Sequence, residues 1–232
     1  MSLVLIIPCY NEAARLEKEA FAACAHQLLF VDDGSTDATV ELIRSWHLPH
    51  AEVLSLARNS GKAEAVRQGM LRAREKYPAA KWLGFWDADL STPLSEASAM
   101  VKWQESFCPQ AQSVWGSRVL RLGAAIKRRQ LRHLLGRGFA TLVTWVFGLT
   151  PYDTQCGAKI FLGPQVPALF TESFSSAWFF DVELLLRAQA LGIELSEYPL
   201  AAWEEKAGSK LRLWRTSLRG FWELWLMHRR YR

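Results

Sequence analysis

Short apolar runs, each followed by a polar turn and a segment of helical character, are the feature that most constrains the fold of this chain. Four such segments have the length of a strand, at residues 3–7, which are wholly apolar, and at 27–31, 52–56 and 81–86, which are mostly apolar. Four segments of helical character follow them, at residues 11 to about 25, 36 to about 46, 62 to about 76, and 93 to about 106. Strands that alternate with helices predict an α/β fold with a doubly wound, mostly parallel central sheet flanked by helices.

The second half of the chain has a less regular pattern. Further strands are predicted at residues 112–116, 159–162 and 193–198. Helices are predicted for a basic stretch after residue 117 and at about 138–147, 180–191 and the Trp-rich 211–232. With 232 residues, 50% of them hydrophobic, the chain can bury one sizeable core, so we expect a single domain over residues 1–232.

Polar turns follow each of the first four predicted strands. They read PCYNE at residues 8–12, DDGS at 32–35, RNSGK at 58–62 and DAD at 87–89. Ligands of open α/β sheets bind outside the carboxyl ends of the strands. We therefore expect the four turns to line one crevice.

The acidic pair Asp87 and Asp89 ends the fourth apolar run. On a strand end, residues two apart point the same way, and like charges held close repel each other. A hard divalent cation relieves that repulsion, and Mg²⁺ or Mn²⁺ commonly binds one or two carboxylates together with substrate phosphates. The pair therefore predicts a metal site, and the alternative is an exposed turn with two solvated acids.

The other turns suit a nucleoside diphosphate. Asp32 and Asp33 can accept hydrogen bonds from a base or a ribose, because an ionised carboxylate is an acceptor only. Lys62 can neutralise a phosphate, although no Walker pattern is present. The alternative for residues 32–36 is capping of the next helix by a hydroxyl side chain, and both interpretations can hold together.

Basic residues are concentrated in two segments of this chain, whose net charge is +5. Residues 118–138 contain seven Lys or Arg and no acid, and residues 206–232 contain eight against one acid. Such segments face nucleic acid, a phosphorylated substrate or an acidic membrane, unless they are solvated helix faces. We expect no nucleic-acid partner, because no binding motif is present and the predicted crevice is acidic. Residues 211–232 mix Trp with Arg, which suits either an interfacial helix or a helix packed on the core.

Cysteine spacing and hydropathy indicate a reduced chain without a membrane span. The four cysteines show no C-x-x-C spacing, so we expect neither a zinc site nor a redox motif. Four reduced thiols suit a cytoplasmic location. Residues 1–20 lack the basic start of a signal peptide. The longest uncharged apolar run, 138–152, is shorter than the ~20 residues of a spanning helix, so a membrane role would be peripheral.

Taken in order, the motifs of this chain resemble glycosyltransferase family 2, which has the GT-A fold. They are IPCYNEAARL (7–16), VDDGSTD (31–37), RNSGKAEAVRQG (58–69), DADLST (87–92), GSR (116–118), DTQCGAKIF (153–161), WFFDVELL (178–185) and GSK (208–210). Within the family they are most similar to the polyprenyl-phosphate sugar transferases, in particular the dolichyl-phosphate β-glucosyltransferase branch. Ala63 and Ala158 depart from the usual Gly and Phe, which bears on sugar choice more than on fold.

The resemblance implies an enzyme that transfers a sugar from a nucleotide donor to a lipid phosphate. The expected reaction is an inverting, Mg²⁺- or Mn²⁺-dependent transfer of glucose from UDP-glucose. The alternatives are another donor such as GDP-mannose or UDP-GlcNAc, a hydroxyl acceptor, or a nucleotide-sugar binding protein without activity. Residues 1–117 would bind the donor, 118–210 the acceptor, and 211–232 would form a basic C-terminal helix on the cytoplasmic face of a membrane.

The resemblance also implies roles for individual residues on the donor side. The residues placed near the nucleotide are Pro8, Tyr10, Asn11, Glu12, Asp32, Asp33, Lys62, Asp87 and Ala88. Asp89 is placed on the metal with Asp87, and Ser91 replaces a glutamine ligand of the mannosyl branch. Ser209 and Lys210 match a late loop that closes on the diphosphate.

On the acceptor side the resemblance assigns phosphates to Arg118 and Arg132. It places four further residues near the acceptor and the sugar: Asp153, Gln155, Trp178 and Asp181. The expected catalytic set is Asp89, Arg118, Arg132, Asp153 and Asp181. A phosphate acceptor is already anionic and needs cations rather than a base. A hydroxyl acceptor would need Asp153 or Asp181 as its base, although Asp181 can also be an acid favoured by a helix N-terminus.

Overall fold

A computed structural model of the chain describes residues 3–127, 138, 141, 143–148, 151–177, 179–206, 227 and 229–231. Its strands are β1 Leu3–Cys9, β2 Gln27–Asp32, β3 Ala51–Ser55, β4 Trp82–Trp86, β5 Ser113–Ser117, β6 Ala125–Lys127, β7 Ala158–Leu162, β8 Leu195–Pro199 and β9 Ala202–Glu204. Its α-helices are α1 Lys18–Ala22, α2 Thr39–Ser45, α3 Lys62–Lys76, α4 Ser95–Phe107, α5 Val166–Phe170 and α6 Phe180–Ala190. A 3₁₀ turn, Gly163–Gln165, precedes α5.

Seven strands form one sheet in the order β3-β2-β1-β4-β7-β5-β8. The pairs β3–β2, β2–β1, β1–β4 and β5–β8 are parallel, whereas β7 runs antiparallel to both β4 and β5. A second, two-stranded parallel ribbon joins β6 to β9. The mostly parallel sheet expected from the sequence is confirmed.

Helices cover both faces of the sheet, because the central strands are apolar on both sides. In β1, Val4 and Ile6 pack with α3, α5 and α6, whereas Leu3, Leu5 and Ile7 pack with α1, α2 and α4. Continuous apolar runs are typical of strands buried on both faces. The doubly wound architecture follows from these two cores.

The helix predicted for residues 11 to about 25 is wrong, since the described helix is only α1. Asn11 has a φ of +52°, outside the right-handed helical region. Its backbone N–H donates to Ser35 Oγ at 2.9 Å, and its side-chain oxygen accepts the Thr36 N–H at 2.8 Å. These contacts with the next loop hold the chain in turns after β1. Helix α2 likewise begins at Thr39 rather than at 36.

The basic stretch after residue 117 was expected to be helical, but it contains strand β6. Residues 128–137, which include most of the predicted basic helix, lie outside the described part. So do residues 207–226, which include most of the predicted C-terminal helix. Residues 143–147 are helical, as are 227 and 229–231. The division of the chain at 117 and 210 stays a prediction. Among the described helices, none is long and apolar enough to cross a bilayer.

Candidate active site

Hydrogen bonds connect the loops that follow β1, β2 and β3 at the carboxyl edge of the sheet. The β1 loop binds the β2 loop through Asn11, and also through the Glu12 N–H, which donates to Thr39 Oγ1 at 2.9 Å. Asp33 binds the loop before α3, because its two carboxylate oxygens accept the Ser60 and Gly61 N–H groups, both at 2.7 Å. The polar turns expected to share one crevice are thus held together by their own side chains.

Asp33 lies at the bottom of this edge and is only 3% exposed. Burial raises the pKa of its carboxyl group, although the two loop N–H groups favour the charged form. Gly34 has a φ of +70°, and a Cβ there would lie 2.7 Å from the Arg58 carbonyl carbon, so the two loops cross too closely for a side chain. Asp33 therefore positions the start of α3, and a contact between it and a nucleotide stays a prediction.

Lys62, the first residue of α3, reaches across the crevice to Asp87. Its Nζ lies 2.5 Å from Asp87 Oδ1, and both side chains are partly exposed. Burial disfavours the Lys62 ammonium, but the carboxylates of Asp87 and Asp181 outweigh that effect and raise the pKa of Lys62. The crevice therefore holds a permanent cation among its acids.

The acidic pair lies in a turn after β4 and not on the strand itself, since β4 ends at Trp86. The Asp87 N–H donates to the Gly157 carbonyl at 3.1 Å, and Leu90 has a φ of +51°. Asp89 Oδ1 accepts the Ser91 N–H at 2.9 Å. The turn, rather than strand period, thus sets the direction of the two carboxylates.

The donor set at this turn fits Mg²⁺ or Mn²⁺ bound jointly with a substrate. Among the described residues, no group of three or more His, Cys, Asp or Glu is placed to hold a metal. Asp87 Oδ1 accepts a hydrogen bond from Lys62 Nζ. Asp89 is half-buried, and its Oδ1 accepts the Ser91 N–H. Such ions keep waters and bind phosphates beside one or two carboxylates, so Asp89 is the principal candidate ligand. Ligand roles for Asp87 and the buried Ser91 stay predictions.

Gly157 provides the seat of the Asp87 carboxylate, a role that sequence reasoning did not assign. A Cβ on Gly157 would lie 2.6 Å from Asp87 Oδ1 and closer still to Cγ and Oδ2. Real side chains do not approach so closely, so only glycine leaves room for this carboxylate. The available signal was a glycine directly before β7, within the motif DTQCGAKIF.

Arg118, which directly follows β5, forms a bidentate ion pair with Asp153. Arg118 Nε and Nη2 donate to the two Asp153 oxygens at 2.6 and 2.8 Å. Burial alone would raise the pKa of Asp153, but the guanidinium lowers it below its usual value. Glu197 accepts the Asp153 N–H at 3.0 Å, and the Trp203 ring lies 5.2 Å from the Arg118 guanidinium carbon. Asp153 is therefore a poor candidate for a base.

Asp181 lies in the first turn of α6, as the alternative interpretation of the sequence proposed, but it also has a cationic partner. Lys159 Nζ donates to Asp181 Oδ1 at 2.6 Å and to the Cys156 carbonyl at 2.5 Å. Lys159 is fully buried on β7, and sequence reasoning did not single it out. Both carboxylates considered as bases thus belong to ion pairs.

The remaining predicted residues are distributed around the same edge. Tyr10 is 37% exposed just after β1, and Glu12 forms an ion pair with Arg15. Asp32 Oδ1 accepts the Ser35 N–H at 3.1 Å. Pro8 belongs to β1, Ala88 is buried in the acidic turn, and the Gln155 N–H donates to Asp153. Four predicted residues lie outside the described part: Arg132, Trp178, Ser209 and Lys210.

Known proteins resemble this chain in sequence over most of its length. The family model described as "Glycosyl transferase family 2" matches residues 4–159. Dolichyl-phosphate beta-glucosyltransferase of Saccharomyces cerevisiae is 31% identical over 91% of this chain and 69% of its own length. The proteins of that name from Drosophila melanogaster (34% identical) and Homo sapiens (32%) match over 91% and 90% of this chain, and over 69% of their own lengths.

Solved structures share the fold. Glucosyl-3-phosphoglycerate synthase from Mycobacterium tuberculosis, in complex with UDP, has a TM-score of 0.71 and 17% identity, over 98% of this chain and 80% of its own. The same enzyme with Mn²⁺, UDP-glucose and phosphoglyceric acid has a TM-score of 0.70 and 17% identity, over 98% of this chain and 79% of its own. The GT-A fold expected for this chain is confirmed by this likeness.

Proposed function

The chain belongs to glycosyl transferase family 2, and from that premise we propose that it transfers glucose from UDP-glucose to a dolichyl-type lipid phosphate. Curated relatives that are 31–34% identical carry the name dolichyl-phosphate beta-glucosyltransferase, which supports both the sugar and the acceptor. The observation that supports a phosphate acceptor is that Asp153 is paired with Arg118 and Asp181 with Lys159. Neither carboxylate is placed to act as a free base.

A phosphate acceptor does not require a base. The second pKa of a phosphate monoester is about 6, so at pH 7 most of it is already the dianionic nucleophile. A hydroxyl acceptor would have to lose a proton to a nearby group. The lowered pKa of Asp153 makes that proton transfer unfavourable. The electrostatics of the crevice therefore favour phosphate over hydroxyl.

Arg118 is the residue proposed to receive the acceptor phosphate. Its Nε and Nη2 bind Asp153, which orients the guanidinium. Within the described part of the chain Nη1 has no hydrogen-bond partner, so it can donate to a phosphate oxygen. The Trp203 ring packs over the guanidinium and limits its hydration. An arginine held in this way loses little conformational entropy when it binds an anion.

The proposed reaction is a single displacement at the anomeric carbon. An acceptor phosphate oxygen forms a bond to that carbon while the bond to the UDP oxygen breaks, and UDP leaves with the electron pair. Attack opposite the leaving group inverts the configuration, so an α-linked donor gives a β-linked product. Lys62 stabilises the negative charge that develops on the diphosphate. Bound at Asp89, Mg²⁺ or Mn²⁺ would supply further stabilisation of that charge.

A lipid acceptor also implies work at a membrane surface. The basic residues of 118–138 and 206–232 suit anionic headgroups. We propose a peripheral association with the cytoplasmic face of a membrane, where a nucleotide sugar is available. Vesicle sedimentation with and without anionic lipid measures this association.

The test is a transfer assay with purified chain, Mn²⁺, dolichyl phosphate and, in separate reactions, UDP-glucose, GDP-mannose or UDP-GlcNAc. We expect a β-linked glucolipid from UDP-glucose, and loss of about 100-fold or more of the rate in Asp89→Ala. The exposed acid Glu75 provides the matched control, and Glu75→Ala should keep the wild-type rate. UDP release without a glucolipid would refute the lipid-phosphate acceptor. Bound UDP without turnover of any donor would refute catalysis.

A further inference from the structure

Lys159 is a charged residue for which the proposed reaction has no direct use. It lies on the central strand β7 with no exposed surface. Its ammonium donates to Asp181 Oδ1 at 2.6 Å and to the Cys156 carbonyl at 2.5 Å. The rings of Trp115 and Phe85 lie 4.6 and 5.3 Å from Nζ. Every donor direction of the ammonium therefore meets a carboxylate, a carbonyl or an aromatic ring.

Stability alone is a weak reason for such a buried ion pair. Removing a lysine and a carboxylate from water costs several kcal/mol for each, and apolar residues of similar volume are often as stable. The pair does, however, impose a geometry, because each short hydrogen bond fixes the position of its acceptor. The pair therefore fixes the relative position of the two elements that carry its acceptors.

The two acceptors of Lys159 belong to two different elements, the turn before β7 and helix α6. Cys156 directly precedes Gly157. Gly157 has no side chain to displace the Asp87 carboxylate, and its carbonyl accepts the Asp87 N–H. Asp181 belongs to the first turn of α6 and, with Asp87, raises the pKa of Lys62. One ammonium thus joins the turn beneath the acidic pair to the helix on the acceptor side.

We propose that Lys159 is a positioning residue of the transfer reaction, which sets the separation between the Asp87 seat and Asp181. It does not touch the substrates and acts through Cys156, Gly157 and Asp181. The inference rests on the proposed function, because its principal measurement is the rate of glucosyl transfer. A misplacement of about 1 Å at a reacting centre can cost about 100-fold in rate.

The experiment compares the wild type with Asp181→Asn, Lys159→Met/Asp181→Asn and, as a matched control, Lys81→Met. Methionine has nearly the length of lysine without its charge, and the double variant avoids the unpaired carboxylate that Lys159→Met alone would leave. The asparagine of Asp181→Asn keeps an oxygen that accepts from Lys159. Lys81 is half-exposed and pairs with Glu105, away from the crevice. Transfer rates are divided by the stoichiometry of UDP binding with Mn²⁺, which counts folded sites.

We expect the double variant to bind UDP with a dissociation constant within about threefold of that of Asp181→Asn. We expect its rate per binding site to fall a further tenfold or more, since Cys156 and residue 181 lose their common donor. Lys81→Met should match the wild type. Equal rates per site in Asp181→Asn and the double variant would overturn the inference, because Lys159 would then serve folding alone. A wild type that forms no glucolipid refutes the proposed function instead, and the same ratio is then measured on UDP release in water.

Discussion

Replacing Gly157 with alanine tests whether the turn before β7 positions the acidic pair. The new Cβ would lie 2.6 Å from Asp87 Oδ1, whereas atoms in favourable contact are about 3.5 Å apart. Asp87 Oδ2 and Cγ would lie closer still to the new Cβ, so the carboxylate must withdraw by more than ~1 Å. Its Oδ1 lies 2.5 Å from Lys62 Nζ, and a displacement of this size breaks a hydrogen bond of that length.

The expected cost in activity is larger than the cost in stability. A displacement of ~1 Å or more at the reacting centre predicts a loss of about 10- to 100-fold or more in kcat/KM for the donor. Asp87 is about one-third exposed and can turn towards solvent, so we expect destabilisation of about 1–3 kcal/mol, as for other overpacked sites. In a domain of this size that corresponds to about 2–4 °C in Tm for each kcal/mol.

Steady-state kinetics and a thermal melt on the same preparation measure the two effects. Gly138→Ala is the matched control, because a Cβ there meets no described atom within 4 Å. It makes the same chemical change and should keep wild-type activity. A Gly157→Ala variant with wild-type kcat/KM would show that Asp87 does not depend on this seat, and the account of the acidic turn would be wrong.

Three further changes test other parts of the site. Lys62→Met should raise the donor KM about tenfold through loss of the Asp87 pairing and of the cation near the diphosphate, and an unchanged KM would contradict this role. Asp153→Asn breaks a buried pair and should cost about 3–5 kcal/mol at pH 7. Because Arg118 lowers the pKa of Asp153 below its usual 3.8, that difference should persist down to about pH 4 and shrink only at lower pH. Urea unfolding over this pH range measures it, and a difference already lost at pH 5 would contradict the lowered pKa. Tyr231→Phe removes a hydroxyl that donates to a buried carboxylate of α6 at 2.9 Å, and should cost about 1 kcal/mol without changing turnover.

Pattern along the chain predicted most of the sheet. Strands β1 and β4 are apolar throughout, and so is β2 from Leu28 to Val31, as is typical of strands buried on both faces. Helix α3 begins and ends at the residues expected for it. The helix expected after β1 was wrong because propensity does not report contacts with a distant loop, and here Ser35 and Thr36 hold Asn11 in a turn.

Sequence motifs also predicted which residue types gather at the carboxyl edge, but not how they pair. The Asp87, Asp153 and Asp181 carboxylates were anticipated as ligands or bases without their cationic partners. Those partners are Lys62, Arg118 and Lys159, which lie 22 to 35 residues away in the chain. A pairing across that separation depends on which strands become neighbours.

The sequence by itself determined the α/β class, the succession of the first strands and helices along the chain, and the family to which the chain belongs. Tertiary structure alone decided that β7 runs antiparallel between β4 and β5, which brings Gly157 under Asp87 and Lys159 to Asp181. The physical reason is that apolar periodicity is a local property of the chain. The charge state and the direction of a side chain at a crevice depend instead on every element packed around it.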